Sequence, residues 1–146
     1  MHLEEDKSAK RLYIAFTQFK RLKWKHKPIE GLRFSEIPVL NCIRDSEKGF
    51  LSISEISNTL DLTSPTVTQM VNNLEKKGLV ERQVADHDRR VVEVLLTNLG
   101  CKVLKEADDR LLRNFNGIAN YLGEEDTLTL ANLMEKIYKY FNEIEK

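Results

Sequence analysis

Residues 50–97 constrain the fold of this chain more than any other stretch, because their hydrophobic periodicity changes partway along. Two short segments, separated by residues 61–63, carry apolar side chains every three or four positions, as amphipathic helices do. Residues 79–84 and 91–96 follow, with the alternating apolar pattern typical of strands. We therefore predict two helices joined by a tight turn and followed by a two-stranded hairpin.

The first helix of this pair has a recognisable start. A short strand is predicted over residues 51–53, after which Ser54 is the expected N-cap. The helix is predicted to run to Leu60, with Ile56 and Leu60 on its apolar face because they are four residues apart.

The second helix has clear start and stop signals. Thr63 or Ser64 is a suitable N-cap, and Pro65 falls in the first turn, where its missing N–H costs little. Gly78 follows two lysines and is the expected residue just past the helix end. The predicted inward face comprises Val67, Met70, Val71 and Leu74.

The opposite face of the second helix has an unusual composition. It carries short polar side chains, namely Ser64, Thr66, Thr68, Gln69, Asn72 and Asn73. Such residues are mediocre helix formers, whereas Lys and Glu are the usual choice for an exposed face. This local inconsistency is typical of a functional surface, and amide and hydroxyl groups suit the major groove of DNA. The alternative is an ordinary polar surface.

The hairpin is predicted to end in a projecting tip over residues 85–90. Six residues exceed a minimal two-residue turn, and Arg89 and Arg90 suit the negative potential of a minor groove. Asp88 is two residues from Arg90 and is expected to hold its side chain in one orientation. A plain charged turn is the alternative. His87 has no metal-ligand neighbours and is expected to face solvent or a phosphate.

The N-terminal flank is predicted to contain two further helices. Residues 6–27 are predicted to form the first helix, and its apolar stripe suits either the core or a partner subunit. The end of this helix is basic, which indicates a solvated helix end, a phosphate contact or the rim of an anionic-ligand site. Ser35 is the expected N-cap of a helix that runs to Asp45.

The C-terminal flank is predicted to be a long helix capped by Thr97, a break at Gly123 and a last helix over 124–144. Their apolar stripes, with that of the first helix, exceed what one small module can cover. The surplus indicates burial between two subunits.

Cysteine content and composition exclude several classes of protein. Cys42 and Cys101 are far apart, which argues against a disulfide framework or a zinc site, and Cys42 is expected to be buried and inert. No apolar run is long enough for a membrane span, and the charged N-terminus lacks a secretory signal. We expect a cytoplasmic protein without a metal or cofactor.

Charge distribution limits how such a chain binds nucleic acid. The net charge is zero overall, +4 over residues 1–49 and −2 over both 50–97 and 98–146. DNA binding would therefore depend on a few specifically positioned Lys or Arg side chains and be salt-sensitive.

Three histidines and two separated cysteines offer no catalytic set, which argues against an enzyme. The helix pair and hairpin of residues 50–97, a winged module, could instead contact only protein. This alternative predicts an apolar outer face on the second helix.

The chain resembles the MarR family of bacterial transcription regulators, most specifically in ISEISNTLDLTSPTVTQMVNNLEKKGLVER and DRRVVEVLLTNLG. The resemblance implies a mainly α winged helix-turn-helix fold with a small β-wing. It further implies a homodimer in which residues 1–34 and 98–146 dimerise and residues 35–97 bind double-stranded DNA. The carried-over contact residues are Ser64, Pro65, Thr66, Thr68, Gln69, Asp88 and Arg90, to which the pattern above adds Asn72 and Arg89.

The resemblance also implies a repressor that covers a palindromic operator. Many members bind a small anionic or aromatic effector in a cleft beside the winged module. By rough position Trp24, His26, Arg33 and Phe34 are candidates for that cleft. Two features depart from the family pattern: Gln69 stands where many members have arginine, and the first helix lacks the reactive cysteine of peroxide-sensing members.

Overall fold

The computed structural model describes residues 6–22 and 31–144. These residues form six α-helices, a 3₁₀ turn, a terminal π-helical turn and one three-stranded antiparallel sheet. The elements in order are α1 (Lys7–Lys20), the 3₁₀ turn (Phe34–Glu36), α2 (Ile37–Asp45), β1 (Phe50–Ser52), α3 (Ile53–Leu60), α4 (Ser64–Lys76), β2 (Val80–Ala85), β3 (Asp88–Leu96), α5 (Asn98–Leu122), α6 (Glu124–Lys139) and the π-helical turn (Tyr140–Ile144).

A capping box sets the start of α3. The Ser52 side chain accepts a hydrogen bond from the Glu55 N–H at 3.1 Å, and the Ser52 N–H donates to the Glu55 carboxylate at 2.8 Å. That N–H, together with the Lys48 ammonium, holds the pKa of the Glu55 carboxyl below its usual range. The prediction of Ser54 as the cap is wrong, because only Ser52 has a glutamate three residues later.

Local signals also fix both ends of α4. Thr63, one of the two predicted caps, is the N-cap, and Ser64 is the first residue of the helix; the left-handed Asp61 ends α3 two residues earlier. At the other end Gly78 has φ +73°, and the Leu79 N–H donates to the Leu74 carbonyl at 3.0 Å. This is the hydrogen bond of a Schellman motif, so the predicted glycine stop is confirmed.

The sheet has the strand order β1–β3–β2 and closes one side of the core. Leu51 of β1 is opposite Val94 of β3, and β2 pairs with β3 in register from Val80↔Leu96 to Val84↔Val92. Most buried apolar residues of the core come from α2 to α5 and the sheet, and Leu32 and Leu79 come from connecting segments: Leu32, Val39, Leu40, Ile43, Ile56, Val67, Val71, Leu74, Leu79, Val80, Val94, Val103, Leu104 and Ala107. The winged module and the start of α5 therefore share one core.

The N-terminal helices differ from their predicted bounds. α1 ends at Lys20 with Arg21 as its C-cap, so the prediction that this helix continues to residue 27 is wrong. The predicted cap at Ser35 is also wrong, because Ser35 lies inside the 3₁₀ turn. The Arg33 N–H instead donates to the Glu36 carboxylate at 3.0 Å, which closes that turn before α2 begins.

Most of the surplus apolar surface lies on α1, the second half of α5 and α6. Neither α1 nor α6 contains a buried residue. Their exposed large apolar side chains include Leu12, Phe16, Phe19, Leu130, Leu133, Met134 and Ile137. Within the described residues, no helix combines the length and apolar character that crossing a membrane requires. In a single chain these stripes are open to water.

We expect the two cysteines to differ sharply in reactivity. Cys42 is half-buried and its Sγ donates to the Val39 carbonyl at 3.1 Å; burial raises its thiol pKa to about 11. At pH 8 only about one Cys42 in a thousand is then a thiolate. Cys101 is exposed on α5.

Alkylation with iodoacetamide at pH 8 tests this difference. It should modify Cys101 and leave Cys42 unmodified until denaturant is added, as measured by mass spectrometry. Equal alkylation of both thiols in the folded chain would contradict this expectation.

Candidate nucleic-acid interface

The outward face of α4 is exposed, and threonine hydroxyls close its first turn. Thr63 Oγ1 accepts a hydrogen bond from the Thr66 N–H at 3.3 Å and lies 2.7 Å from the Thr66 hydroxyl. The exposed residues of this face are Ser64, Pro65, Thr66, Thr68 and Gln69. Because a helix N-terminus carries partial positive charge, this turn offers donors and a favourable dipole to an anion.

Two amides farther along α4 have partners within the chain. Gln69 Nε2 donates to Asn73 Oδ1 at 3.3 Å. Asn72 is half-buried, and its Oδ1 accepts a hydrogen bond from Arg82 of β2 at 2.6 Å. The same guanidinium donates to Glu75 at 2.7 Å. Of the polar residues predicted on this face, Asn72 is therefore hydrogen-bonded to β2, a strand of the wing.

The wing tip is shorter than predicted. Only Asp86 and His87 separate the strands, and Ala85 pairs with Asp88, so the prediction of a projecting loop over 85–90 is wrong. Backbone pairing continues past the point where the apolar alternation stops, so alternation alone underestimates the length of the strands. His87 is exposed at the turn.

A register shift places both arginines in an irregular part of β3. Val84 pairs with Val92, while the next residue of β2 pairs with Asp88, so residues 89–91 are inserted between the two pairs. Such a bulge bends a strand and redirects its side chains. Arg89 and Arg90 are both exposed within it.

An ion pair orients Arg90 at the wing. Arg90 Nε donates to Asp88 Oδ1 at 3.1 Å, its NH2 donates to Asp88 Oδ2 at 3.3 Å, and its backbone N–H donates to Oδ1 at 3.0 Å. These bonds hold the pKa of the Asp88 carboxyl below its usual range. The Arg90 side chain is nevertheless 90% exposed, so its guanidinium is oriented and still accessible.

A cavity of about 440 Å³ separates the 3₁₀ turn from α4. Its lining residues are Arg33, Ser35, Glu36, Pro65, Thr66, Gln69, Met70 and Asn73. Of the four predicted effector residues, Arg33 lines this cavity, Phe34 is exposed outside the lining, and Trp24 and His26 lie outside the described residues.

The sequence did not indicate three charged residues that connect α4 to the segment before α2 and to β2. Glu36 is only 2% exposed and accepts a hydrogen bond from Lys77 at 2.7 Å, and Lys77 also donates to the Gly31 carbonyl. This pair ties the end of α4 to the segment before α2. Arg82 has the corresponding role between α4 and β2. No local pattern marks such residues, because their partners are distant in sequence.

The compact helix pair, the three-stranded sheet and the wing define a winged helix-turn-helix protein. Residues 30–91 match the family model described as "MarR family". The chain is 31% identical over 94 residues to the HTH-type transcriptional regulator FarR of Neisseria gonorrhoeae, covering 64% of each protein. It is 30% identical over 109 residues to the regulator SarZ of Staphylococcus haemolyticus, covering 73% of this chain and 69% of SarZ. The chain therefore belongs to the MarR family, whose members named here are transcriptional regulators and not enzymes.

Solved structures agree on the fold. The YusO protein of Bacillus subtilis superposes with a TM-score of 0.71 at 23% identity, over 92% of this chain and 97% of YusO. FabT of Streptococcus pneumoniae, solved in complex with DNA, superposes with a TM-score of 0.68 at 21% identity, over 94% of each chain. The match with FarR spans slightly less than two thirds of that relative's length.

Proposed function

We propose that this chain is a transcriptional regulator that binds a palindromic operator in double-stranded DNA as a homodimer and acts as a repressor. One observation carries the proposal: the exposed, uncharged polar face of α4 occurs in the same module as the oriented guanidinium of Arg90. A winged module that only contacts protein would instead expose apolar residues on this helix. FabT and a MarR mutant from E. coli, which share this fold, were solved with DNA, and MdtR of Bacillus subtilis is named a repressor; these relatives support DNA binding and repression.

The contacts we propose follow from the charge of the module. Residues 50–97 have a net charge of −2, so bulk attraction to phosphates is weak. Binding then relies on placed groups: the first turn of α4 against a phosphate, its polar side chains in the major groove, and Arg90 in the adjacent minor groove. The proposed contact residues are Ser64, Pro65, Thr66, Thr68, Gln69, Asn72, Asp88, Arg89 and Arg90.

Selection of bound sequences from a random DNA pool tests this function. The purified chain should enrich a palindromic motif whose half-sites are about one helical turn, roughly 10 base pairs, apart, because two α4 helices enter successive major grooves. A pool that stays random after repeated rounds at about 0.1 M salt would overturn the proposal. A motif without two-fold symmetry would overturn the homodimer alone.

The homodimer is supported by the exposed apolar side chains of α1 and α6. Because large apolar patches on a soluble protein mark contact surfaces, we propose that residues 1–34 and 98–146 form the two-fold interface. Two modest DNA-binding modules, residues 35–97 of each subunit, then act as one tight binder.

Light scattering at micromolar concentration should give twice the mass of the chain. Ile137→Glu, which places a charge on the exposed apolar face of α6, is expected to shift the mass towards that of one chain. Lys136→Glu introduces the same side chain one position away and should leave the dimer intact. A parent protein that scatters as a monomer would refute the interface.

We further propose that a small anionic or aromatic effector occupies the cavity between the 3₁₀ turn and α4. Arg33 supplies a cation at its edge and Met70 an apolar wall. Because Pro65, Thr66 and Gln69 also line this cavity, a ligand there would compete with the operator for α4, and it would also favour any spacing of the two α4 helices to which it binds better. Benzoate, used as a probe, should release labelled operator from the parent and less so from Arg33→Ala; no release at millimolar benzoate would argue against this class of effector.

A further inference from the structure

Arg82 joins the wing strand to the proposed recognition helix. Its guanidinium donates to Glu75 Oε1 at 2.7 Å and to Asn72 Oδ1 at 2.6 Å, and its side chain is 26% exposed. Asn72 and Glu75 are three residues apart on α4 and therefore share the face directed at β2. Two anchors hold the planar guanidinium in one orientation.

The chemistry of arginine fixes the orientation of the Asn72 amide. A guanidinium has five N–H donors and no acceptor, so the Asn72 atom in contact with it must be the carbonyl oxygen. The oxygen and nitrogen of an amide diverge from the same trigonal carbon, so with its oxygen bound by Arg82 the NH₂ group is directed elsewhere than at that donor. Within residues 6–22 and 31–144, Asn72 Nδ2 makes no hydrogen bond.

We propose that Arg82 is a positioning residue that sets the base preference of Asn72. It turns the amide so that the NH₂ group, and not the oxygen, is offered to the major groove. This inference rests on the proposed function, since it specifies how α4 reads its operator.

The held amide changes the base that Asn72 prefers. A freely rotating asparagine pairs with adenine, because its oxygen accepts from N6 and its NH₂ donates to N7. Asn72 cannot direct its oxygen at a base while Arg82 binds it. Guanine offers two acceptors, N7 and O6, in the major groove, and these match a group that only donates. We therefore expect guanine at the base pair contacted by Asn72.

Random-pool selection with three proteins tests this inference. Asn72→Ala identifies the contacted position, because preference is lost there while the rest of the motif remains. The parent should select guanine at that position. Arg82→Met keeps the length of the side chain but cannot donate, so the freed amide should select adenine, with the guanine-to-adenine ratio changing by roughly tenfold or more. A role of Arg82 in folding alone would weaken binding without changing the preferred base.

A second variant keeps the test informative when Arg82→Met is unstable. Asn72→Asp retains an acceptor against Arg82 and turns a carboxylate oxygen outwards, so the preferred base should change from guanine to cytosine, whose N4 donates. Adenine at this position in the parent, or an unchanged preference in Arg82→Met or Asn72→Asp, would overturn the inference while leaving the proposed function intact. A parent that enriches no sequence overturns both.

Discussion

Gly100→Ala is expected to destabilise the fold by roughly 2–4 kcal/mol, which lowers the melting temperature by about 10 °C. Gly100 is buried in the first turn of α5, where that helix contacts the chain just after α4. A Cβ added there would lie 2.0 Å from the Leu79 carbonyl oxygen and 3.0 Å from its carbon. Both atoms belong to the backbone, so no side chain can rotate to make room and the helix must move.

Gly117→Ala is the matched control for Gly100→Ala. It makes the same change in the same helix, but its Cβ would meet nothing within 4 Å. Alanine there should stabilise the helix by about 0.5–1 kcal/mol, because glycine loses more backbone entropy on folding. Thermal unfolding followed by circular dichroism measures both variants. Equal melting temperatures for the parent and Gly100→Ala would show that α5 does not approach the Leu79 backbone this closely.

Arg90→Ala is expected to weaken operator binding by roughly tenfold to hundredfold per wing while leaving the fold intact. The side chain is 90% exposed and its ion pair with Asp88 lies at the surface, so its removal should cost little stability. In DNA binding, however, the oriented guanidinium enters the minor groove at little cost in side-chain entropy. Fluorescence anisotropy with the selected operator measures the loss.

A matched variant separates this specific contact from a change in net charge. Arg113→Ala removes one cation from an exposed position on α5, outside the winged module, and should reduce affinity only slightly. Similar losses for Arg90→Ala and Arg113→Ala would mean that charge alone matters. An unchanged affinity for Arg90→Ala would remove the wing from the proposed interface.

Predictions from the sequence succeeded where the signal was local. Thr63, Gly78, Thr97 and Gly123 end or begin helices as expected, because a cap depends on a few neighbouring residues. The start of α3 was misplaced by two residues, although the serine-to-glutamate spacing of its capping box was present in the sequence.

Features that depend on distant residues were not accessible from the sequence. The bulge in β3 depends on how β2 and β3 pair, so the sequence of β3 alone does not show that Arg89 and Arg90 lie in it. The contacts of Arg82 with Asn72 and of Lys77 with Glu36 join residues that the fold alone brings together. An apolar stripe such as that of α1 has the same pattern in a core and in a subunit interface.

Competition between two DNA duplexes tests the central claim, sequence-specific binding by the α4 face and the wing, most directly. One duplex is the selected operator, and the other has the same composition with both half-sites scrambled. At about 0.15 M salt the chain should bind the operator at least about 1,000-fold more tightly, as specific regulators do. Equal affinity for the two duplexes would contradict the claim, because a winged module that reads bases must distinguish them.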